Sequence, residues 1–287
     1  MKNVLKIELK KAFNNKFFLI GLLIATLLAV LSAVYNIQTV EQEMQALENI
    51  KQSYDGLVNP HMPLYSLFNH WLCEDFNSLA SSLFFFIYPI ICVMSYGWSF
   101  FEEKKSGYIK NVVCRTNKGH YYFSKYIATF LSGGATVGIP AVLNFFIVSM
   151  FIPAVKPDVF YDIGWTVRQA SMFSECFFNV PFLYVFLRIL LLFVFGGAIS
   201  TVSFALAFLI NNRFAVVLIP FLVTLAVHYG QSIFSTTSSI PELSPIYMVS
   251  ANGFKTKTLL GAVIEISLIT VAVLFITLKK GVKSDVL

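Results

Sequence analysis

The sequence predicts an all-α polytopic membrane protein with six transmembrane helices, and two observations carry that prediction. Hydrophobic residues make up 57% of the 287 residues and charged residues only 13%, which is about half the share of an ordinary globular chain. Six stretches are also close to the roughly 20 apolar residues that cross a hydrocarbon core about 30 Å thick. So few charges cannot cover a water-facing surface of this size. The composition therefore excludes a soluble enzyme, a disordered chain and a nucleic-acid-binding module.

The predicted spans form a single transmembrane domain over residues 1–287. They cover residues 17–35, 78–101, 126–152, 184–210, 214–230 and 259–278. Prolines and glycines inside these spans are tolerable, because neighbouring helices can satisfy the backbone groups that they free. In the third span we interpret Gly133, Gly134 and Gly138 as positions of close packing between helices. Residues 40–52 are polar and predict a helix outside the membrane.

Basic residues set the predicted orientation. Six spans place both ends of the chain on one side of the membrane. Residues 1–16, 102–125, 211–213 and 279–287 fall on that side and hold 15 of the 21 basic residues against four acids. Basic residues mark the cytoplasmic side, so both termini are expected in the cytoplasm.

The first 16 residues are predicted to form an interfacial helix. Leu5, Leu9, Ala12 and Phe13 share one face of a helix, with lysines beside them. This pattern is typical of an amphipathic helix that lies on the surface of the bilayer.

Motifs for catalysis and nucleotide binding are missing from the sequence. There is no G-x-x-x-x-G-K-[ST], no H-E-x-x-H and no C-x-x-C, the patterns that hold phosphate or metal. We therefore expect no enzyme activity, no metal and no directly bound cofactor. If the protein drives an energy-requiring process, a partner protein must hydrolyse the nucleotide that supplies the energy.

The loop over residues 102–125 is the main candidate functional segment. Ile109, Val112 and Val113 are spaced to form one apolar face of a short helix. Charges of both signs surround this helix: Glu102, Glu103, Lys104, Lys105, Lys110, Arg115, Lys118 and Lys125. Such a surface suits a protein contact, in which the apolar face would be the central anchor and the charges the rim. It equally suits a solvated loop that only fixes the topology, and the spacing alone favours neither.

The order of the six spans, the N-terminal helix and this loop resembles the ABC-2 family of ATP-binding-cassette permeases. The form is that of Gram-positive bacteriocin immunity and peptide export. In that family an acidic residue, a glycine, an apolar helix, a basic turn, tyrosines and Ser-Lys lead into the third span. The matching residues here are Glu103, Gly107, the helix around Ile109 to Val113, Tyr121, Tyr122, Ser124 and Lys125. Lys118 stands where the family usually has arginine, which keeps the charge but not the planar guanidinium.

The resemblance implies a permease in a bacterial plasma membrane whose loop is a coupling helix. The helix would dock on a separate cytoplasmic ATPase subunit, which uses ATP and Mg²⁺. A second permease chain, identical or related, would pack beside the first, and the pair would export a peptide, antimicrobial or lipid-like substrate. Residues 231–257 would dip partly back into the bilayer. The alternative is a non-transporting immunity or sensor protein that binds a ligand at the outer surface.

Two charged residues fall within the predicted spans. Glu265 lies about 10 Å inside the sixth span, and an intramembrane carboxylate usually faces protein or a water-filled cavity. We predict a substrate or gating contact, a protonated and hydrogen-bonded acid, or an ion pair in which Arg188 is the first candidate partner and His228 the second. Arg188 could also extend to the interface by itself.

Two of the four cysteines, Cys73 and Cys176, fall in different outer loops. Only there do disulfides persist, so a bridge between them is one hypothesis.

Overall fold

The computed structural model describes residues 2–53, 65–159, 165–169, 171–235, 244–250 and 258–282, and all regular structure within them is helical. Six of these helices are long and apolar enough to cross a membrane. The predicted fold class, an all-α polytopic membrane protein, is confirmed.

The helices are numbered in chain order. The spanning helices are α2 (Lys16–Ser53), α3 (Leu79–Tyr96), α6 (Lys118–Ser149), α8 (Pro181–Leu206), α9 (Arg213–Ser235) and α11 (Leu259–Ile276), which continues as a π-helical turn (Thr277–Val282). The short helices are α1 (Lys2–Phe13), α4 (Ser99–Lys105), α5 (Tyr108–Val113), α7 (Ser174–Asn179) and α10 (Pro245–Val249). Of the segment 231–257, residues 236–243 and 251–257 lie outside the described residues.

The first spanning helix is much longer than the apolar stretch that predicts it. At 38 residues and 1.5 Å per residue, α2 is about 57 Å long, nearly twice the thickness of a hydrocarbon core. Residues 40–52, predicted as a separate polar helix, are its continuation. The sequence from residue 22 to 53 contains no glycine or proline to end the helix.

The third spanning helix begins eight residues before the predicted boundary. Its apolar window is interrupted by Lys118 and Lys125, which made residue 126 the expected start. In the structure Asn117 caps the helix, because its side chain accepts a hydrogen bond from the Gly119 amide. Lys125 lies on a buried face of α6, where two carboxylates neutralise its charge.

Close packing of α6 on α8 forms the centre of the bundle. A Cβ atom added to Gly133 would lie 2.3 Å from the Cβ of Ser200, and one added to Gly196 would lie 2.7 Å from the Val137 side chain. No real Cβ contact is this short, so the two helices touch through their backbones. The interpretation of Gly133, Gly134 and Gly138 as packing positions is confirmed, and α8 contributes Gly196 and Gly197 from the other side.

The two ends of the bundle differ. One end, here called the basic end, carries α1, α4, α5, the start of α6 and the π-helical turn. The opposite end carries α7, α10 and the loop over residues 65–78. Along the sides, α9 and α11 expose large apolar side chains such as Leu222, Leu268 and Phe275, as expected for surfaces that face lipid.

Candidate functional site

Helices α4 and α5 form a hairpin at the basic end. Gly107 joins them with φ of 73°, in the left-handed region that glycine adopts without steric cost. The short helix predicted around Ile109 to Val113 is confirmed as α5. The hairpin is therefore an ordered pair of helices between α3 and α6.

The apolar face of α5 packs against its own chain. Ile109 is only 4% exposed and lies in one cluster with Phe100, Tyr122 and Phe204. Val112 and Val113 are half-buried against the same cluster. The expectation that this face is a free anchor for a partner is wrong for Ile109, because a helix of six residues is stable here only through such packing. Ile109 supports the hairpin instead.

A ring of four charges lies beneath the hairpin: Glu8, Lys11, Glu103 and Lys125, here called the charge ring. Lys125 is fully buried. Its Nζ lies 3.1 Å from Glu8 Oε2, 2.9 Å from Glu103 Oε2 and 2.9 Å from the Tyr96 hydroxyl. All three donors of this ammonium group are therefore used.

Lys11, the second lysine of the charge ring, contacts the other oxygen of each carboxylate. Lys11 Nζ lies 3.2 Å from Glu8 Oε1, 3.2 Å from Glu103 Oε1 and 2.9 Å from the Tyr108 hydroxyl. Each carboxylate thus bridges both lysines, and the four charges sum to zero. The Tyr96 hydroxyl also donates to Glu8, and one further hydroxyl, that of Tyr121, donates to Glu103. The ring joins α1, α3, α4, α5 and α6.

The two members of the charge ring on α1 have shifted pKa values. Burial alone would raise the pKa of Glu8, but the charges of Lys125 and Lys11 and the hydrogen bond from Tyr96 bring it below its ordinary value. Burial would also lower the pKa of Lys11, but the hydrogen bond to Tyr108 and the charges of Glu103 and Glu8 raise it above its ordinary value. Both groups are therefore charged at neutral pH.

The N-terminal helix packs on the bundle. Its buried residues are Glu8 and Ala12, and Ala12 packs with Tyr96 and Ala128. Phe13, expected on the membrane face, is exposed together with Ile7. The prediction missed Glu8. The available signal was that Glu8 is the only acid in the first 16 residues and lies beside the apolar positions Leu9 and Ala12.

A groove of about 690 Å³ opens between α1 and α5. Its lining includes Val4 and Ile7 of α1, Val112 of α5, and two charged residues, Glu8 of the charge ring and Arg115 in the turn after α5. We call it the α1–α5 groove. The exposed part of the predicted loop thus forms one wall of a groove that has an apolar floor and Arg115 at its edge.

The remaining residues predicted for the loop have separate contacts. Glu102 forms an ion pair with Arg213 at 3.2 Å, and both side chains are partly exposed. Lys104 Nζ donates to the backbone oxygen of Ala207 at 3.2 Å. Lys118 is half-buried at the first position of α6. The hairpin is thus fixed to α8 and α9 as well as to α1 and α6.

Arg188 pairs with Glu74 and not with Glu265. Its Nε donates to Glu74 Oε1 at 3.0 Å, and Tyr184 donates to the same oxygen. Its Nη1 donates to the carbonyl oxygen of residue 248, and its Nη2 donates to those of residues 73, 249 and 250. The predicted pair is wrong because Arg188 is wholly engaged by the loop over residues 65–78 and by α10, which fold over the end of α8.

Glu265 is 7% exposed on the buried face of α11. Among the described residues it forms no ion pair, and no hydrogen-bond donor reaches its Oε2. The hydroxyl of Tyr88 on α3 likewise has no described hydrogen-bond partner. The second candidate partner, His228, contacts the Ser244 hydroxyl at 2.9 Å. The prediction of a substrate or gating contact at Glu265 therefore stays open.

Cys73 is buried, Cys176 is half-buried, and both are present as thiols. The disulfide proposed as one hypothesis is not formed in the structure. Neither do three or more His, Cys, Asp or Glu side chains converge as metal ligands within the part of the chain that the structure describes.

Comparison with known proteins gives no match. No protein-family model, curated protein or solved structure is significantly similar to this chain. What the structure itself establishes is a six-span helical membrane protein with a hairpin held on a buried charge ring at its basic end.

Proposed function

We propose that this chain is the membrane-spanning permease subunit of an ATP-binding-cassette transporter. ATP and Mg²⁺ would be used by a separate cytoplasmic ATPase subunit, docked at the basic end. The observation that carries the proposal is the charge ring. A loop that only fixed topology would need no buried attachment, whereas buried charges such as Lys125 and Glu8 are costly unless they are well paired. The attachment makes mechanical sense if the hairpin transmits a displacement into the membrane.

A continuous chain of contacts supports that transmission. A displacement of the hairpin would act on Lys125 of α6 through Glu103. Helix α6 packs closely on α8, where Gly133 meets the Ser200 side chain and the backbone oxygen of Gly196, so the two helices would move together. Arg188 of α8 in turn holds the loop and α10 at the opposite end. Closure of a pair of ATPase subunits would thus switch the membrane pathway by rigid-body motion.

The docking surface would be the α1–α5 groove. Ile7 and Val112 would form its apolar centre, and Arg115 its basic rim. Apolar centres supply most of the affinity of an interface, while charges at the rim steer the encounter and fix orientation. The partner should accordingly present an apolar side chain surrounded by acids.

The remaining parts of the proposal concern the orientation of the chain, its assembly and its substrate. The basic end would face the cytoplasm of a bacterium, with both termini there, since lysine and arginine mark that side. A second permease chain would pack beside the first within the lipid bilayer. Export of a peptide, antimicrobial or lipid-like substrate is proposed on the resemblance to ABC-2 permeases, which is an analogy.

Co-purification with ATPase subunits from the same genome, followed by ATP hydrolysis in lipid, tests the proposal. Val112→Asp should abolish ATPase association with only a small fall in the melting temperature, because Val112 is half-buried. Ile109→Asp should instead lower the melting temperature, because Ile109 is buried within the chain. Val155→Asp is the matched control, since Val155 is exposed at the opposite end.

Two results would overturn the proposal or favour the alternative. If Val112→Asp combined with Arg115→Ala retains full ATPase association and coupling, the hairpin is only a topology signal. If the chain binds no ATPase subunit and yet protects cells against an externally added peptide, the protein is a non-transporting immunity or sensor protein.

A further inference from the structure

A second groove lies at the basic end, away from the α1–α5 groove. It has a volume of about 400 Å³ and lies between the start of α2, the end of α3 and the start of α9. Its walls are almost entirely apolar: Phe17, Met94, Trp98, Phe214, Val217 and Leu218. Arg213 is the one charged residue in its lining. We call it the α2–α9 groove.

Two cations meet at one aromatic ring of this groove. The guanidinium carbon of Arg213 lies 5.7 Å from the centre of the Phe17 ring and 4.1 Å from that of Trp98. Lys16 Nζ lies 5.4 Å from the same Phe17 ring. Glu102 pairs with Arg213 through Nη1 only, so one acid stands against two cations. The mouth of the groove is therefore positively charged.

The groove opens at the boundary between water and hydrocarbon. Lys16 and Arg213 are the first residues of α2 and α9, and apolar residues follow each of them. Phe17 and Phe214 come next, at the depth where aromatic side chains mark a membrane interface. Phe214 is 82% exposed, which leaves the groove open sideways to the bilayer.

We propose that the α2–α9 groove binds one anionic phospholipid. The acyl chain would lie along Met94, Val217 and Leu218, and the phosphate would be held by Arg213 and Lys16. Arginine suits this role because its planar guanidinium offers several parallel donors to phosphate oxygens. The apolar walls favour a lipid over free phosphate, which gains nothing from them. The site is independent of whether the chain transports anything.

Native mass spectrometry of the purified protein, titrated with phosphatidylglycerol or with phosphatidylcholine of the same acyl chains, tests the proposal. Arg213→Ala and Lys16→Ala should each weaken phosphatidylglycerol binding about fivefold, the share of one basic residue near a membrane surface. Arg213→Lys should lose less. Phosphatidylcholine binding should be little changed. Lys110→Ala, which removes an exposed cation outside the groove, should have no effect.

Lipid binding by Phe214→Ala and the melting temperatures of the variants separate a loss of the site from a loss of folding. Phe214→Ala should weaken phosphatidylglycerol binding without a change of charge. The melting temperature of every variant should stay close to that of the parent, because the Glu102–Arg213 pair is exposed and exposed pairs add little stability. Unchanged phosphatidylglycerol binding in a folded Arg213→Ala/Lys16→Ala variant would overturn the proposal. So would displacement of the lipid by inorganic phosphate, which would indicate a site for the soluble anion.

Discussion

Lys125→Met should strongly destabilise this protein. Methionine has nearly the length of lysine and fills the same space, so the substitution removes the charge with little change in packing. The lost ammonium group contacts two carboxylates and one hydroxyl. Glu8 and Glu103 would then share only Lys11 and would repel each other in a buried place.

The magnitude follows from the burial of the charge ring. Lys125 is 0% exposed and Glu8 is 2% exposed, so water cannot replace the lost partner. Removing one member of a buried ion pair costs about 3–5 kcal/mol. For a chain of this size each kcal/mol shifts the melting temperature by about 2–4 °C, which gives a fall of roughly 10 °C. Lys110→Met, an exposed lysine of the same hairpin, should change the melting temperature little.

A double-mutant cycle tells charge pairing from packing. Adding Glu8→Gln to Lys125→Met leaves one acid and one lysine in the ring, so the double variant should recover much of the loss. The coupling energy should be about 1–3 kcal/mol. Thermal unfolding in detergent, followed by tryptophan fluorescence, measures all four proteins. A melting temperature within about 2 °C of the parent for Lys125→Met, or strictly additive losses, would refute the charge ring.

The pH dependence gives a second test of the same ring. Because the folded state lowers the pKa of Glu8 below 4.5, its contribution is present above that pH and is lost as the pH falls through the folded pKa. The parent should therefore lose stability on acidification below about pH 4.5 more steeply than Glu8→Gln does. Equal slopes for the two proteins would contradict the assignment.

Three further predictions concern the membrane-spanning helices. Gly133→Ala should cost about 1–3 kcal/mol, because its Cβ would lie 2.3 Å from that of Ser200; the fall in melting temperature measures it. Arg188→Met should cost about 3–5 kcal/mol by leaving Glu74 buried and unpaired, and Arg188→Lys should recover part of this. Glu265→Gln should leave the melting temperature unchanged, since no described ion pair is lost, and altered transport or resistance in a folded variant would mark a pathway contact.

Each of these predictions has its own control. Gly230→Ala should be neutral or stabilising, because no atom of the described residues lies within 4 Å of the added methyl group. A Gly133→Ala protein as stable as Gly230→Ala would argue against close packing of α6 on α8. An Arg188→Met protein of parental stability would show that Glu74 does not depend on the guanidinium. For Glu265→Gln, a large fall in melting temperature would reveal a stabilising contact of the carboxylate.

The six spans and the helix after Gly107 could be predicted because their signals are local. A run of apolar residues specifies a membrane helix wherever it occurs, and Ile109, Val112 and Val113 specify a helix face by spacing alone. The boundary at residue 126 was wrong because Lys125 looks like a solvated charge in the sequence. Its compensation by Glu8 is a tertiary property.

The missed partners share this cause. Arg188 and Glu74 are 114 residues apart, and nothing in the composition of residues 65–78 indicates that this loop folds over the end of α8. Glu265 was the expected partner of Arg188 because both lie within the membrane spans. Depth in the membrane does not specify which helix faces are adjacent. The same limit applies to Lys11 and Glu103, which are 92 residues apart.

The contacts of Arg188 have a consequence for biosynthesis. Its partner Glu74 precedes it in the chain, but three of its carbonyl acceptors come later, up to Ser250, 62 residues downstream. At about 5–20 residues per second, the ribosome reaches them about 3–12 s after it has made Arg188. During that interval the nascent α8 enters the bilayer with a guanidinium that only the earlier loop can neutralise. Loss of Glu74 should therefore harm insertion of the growing chain, in addition to the stability of the finished protein.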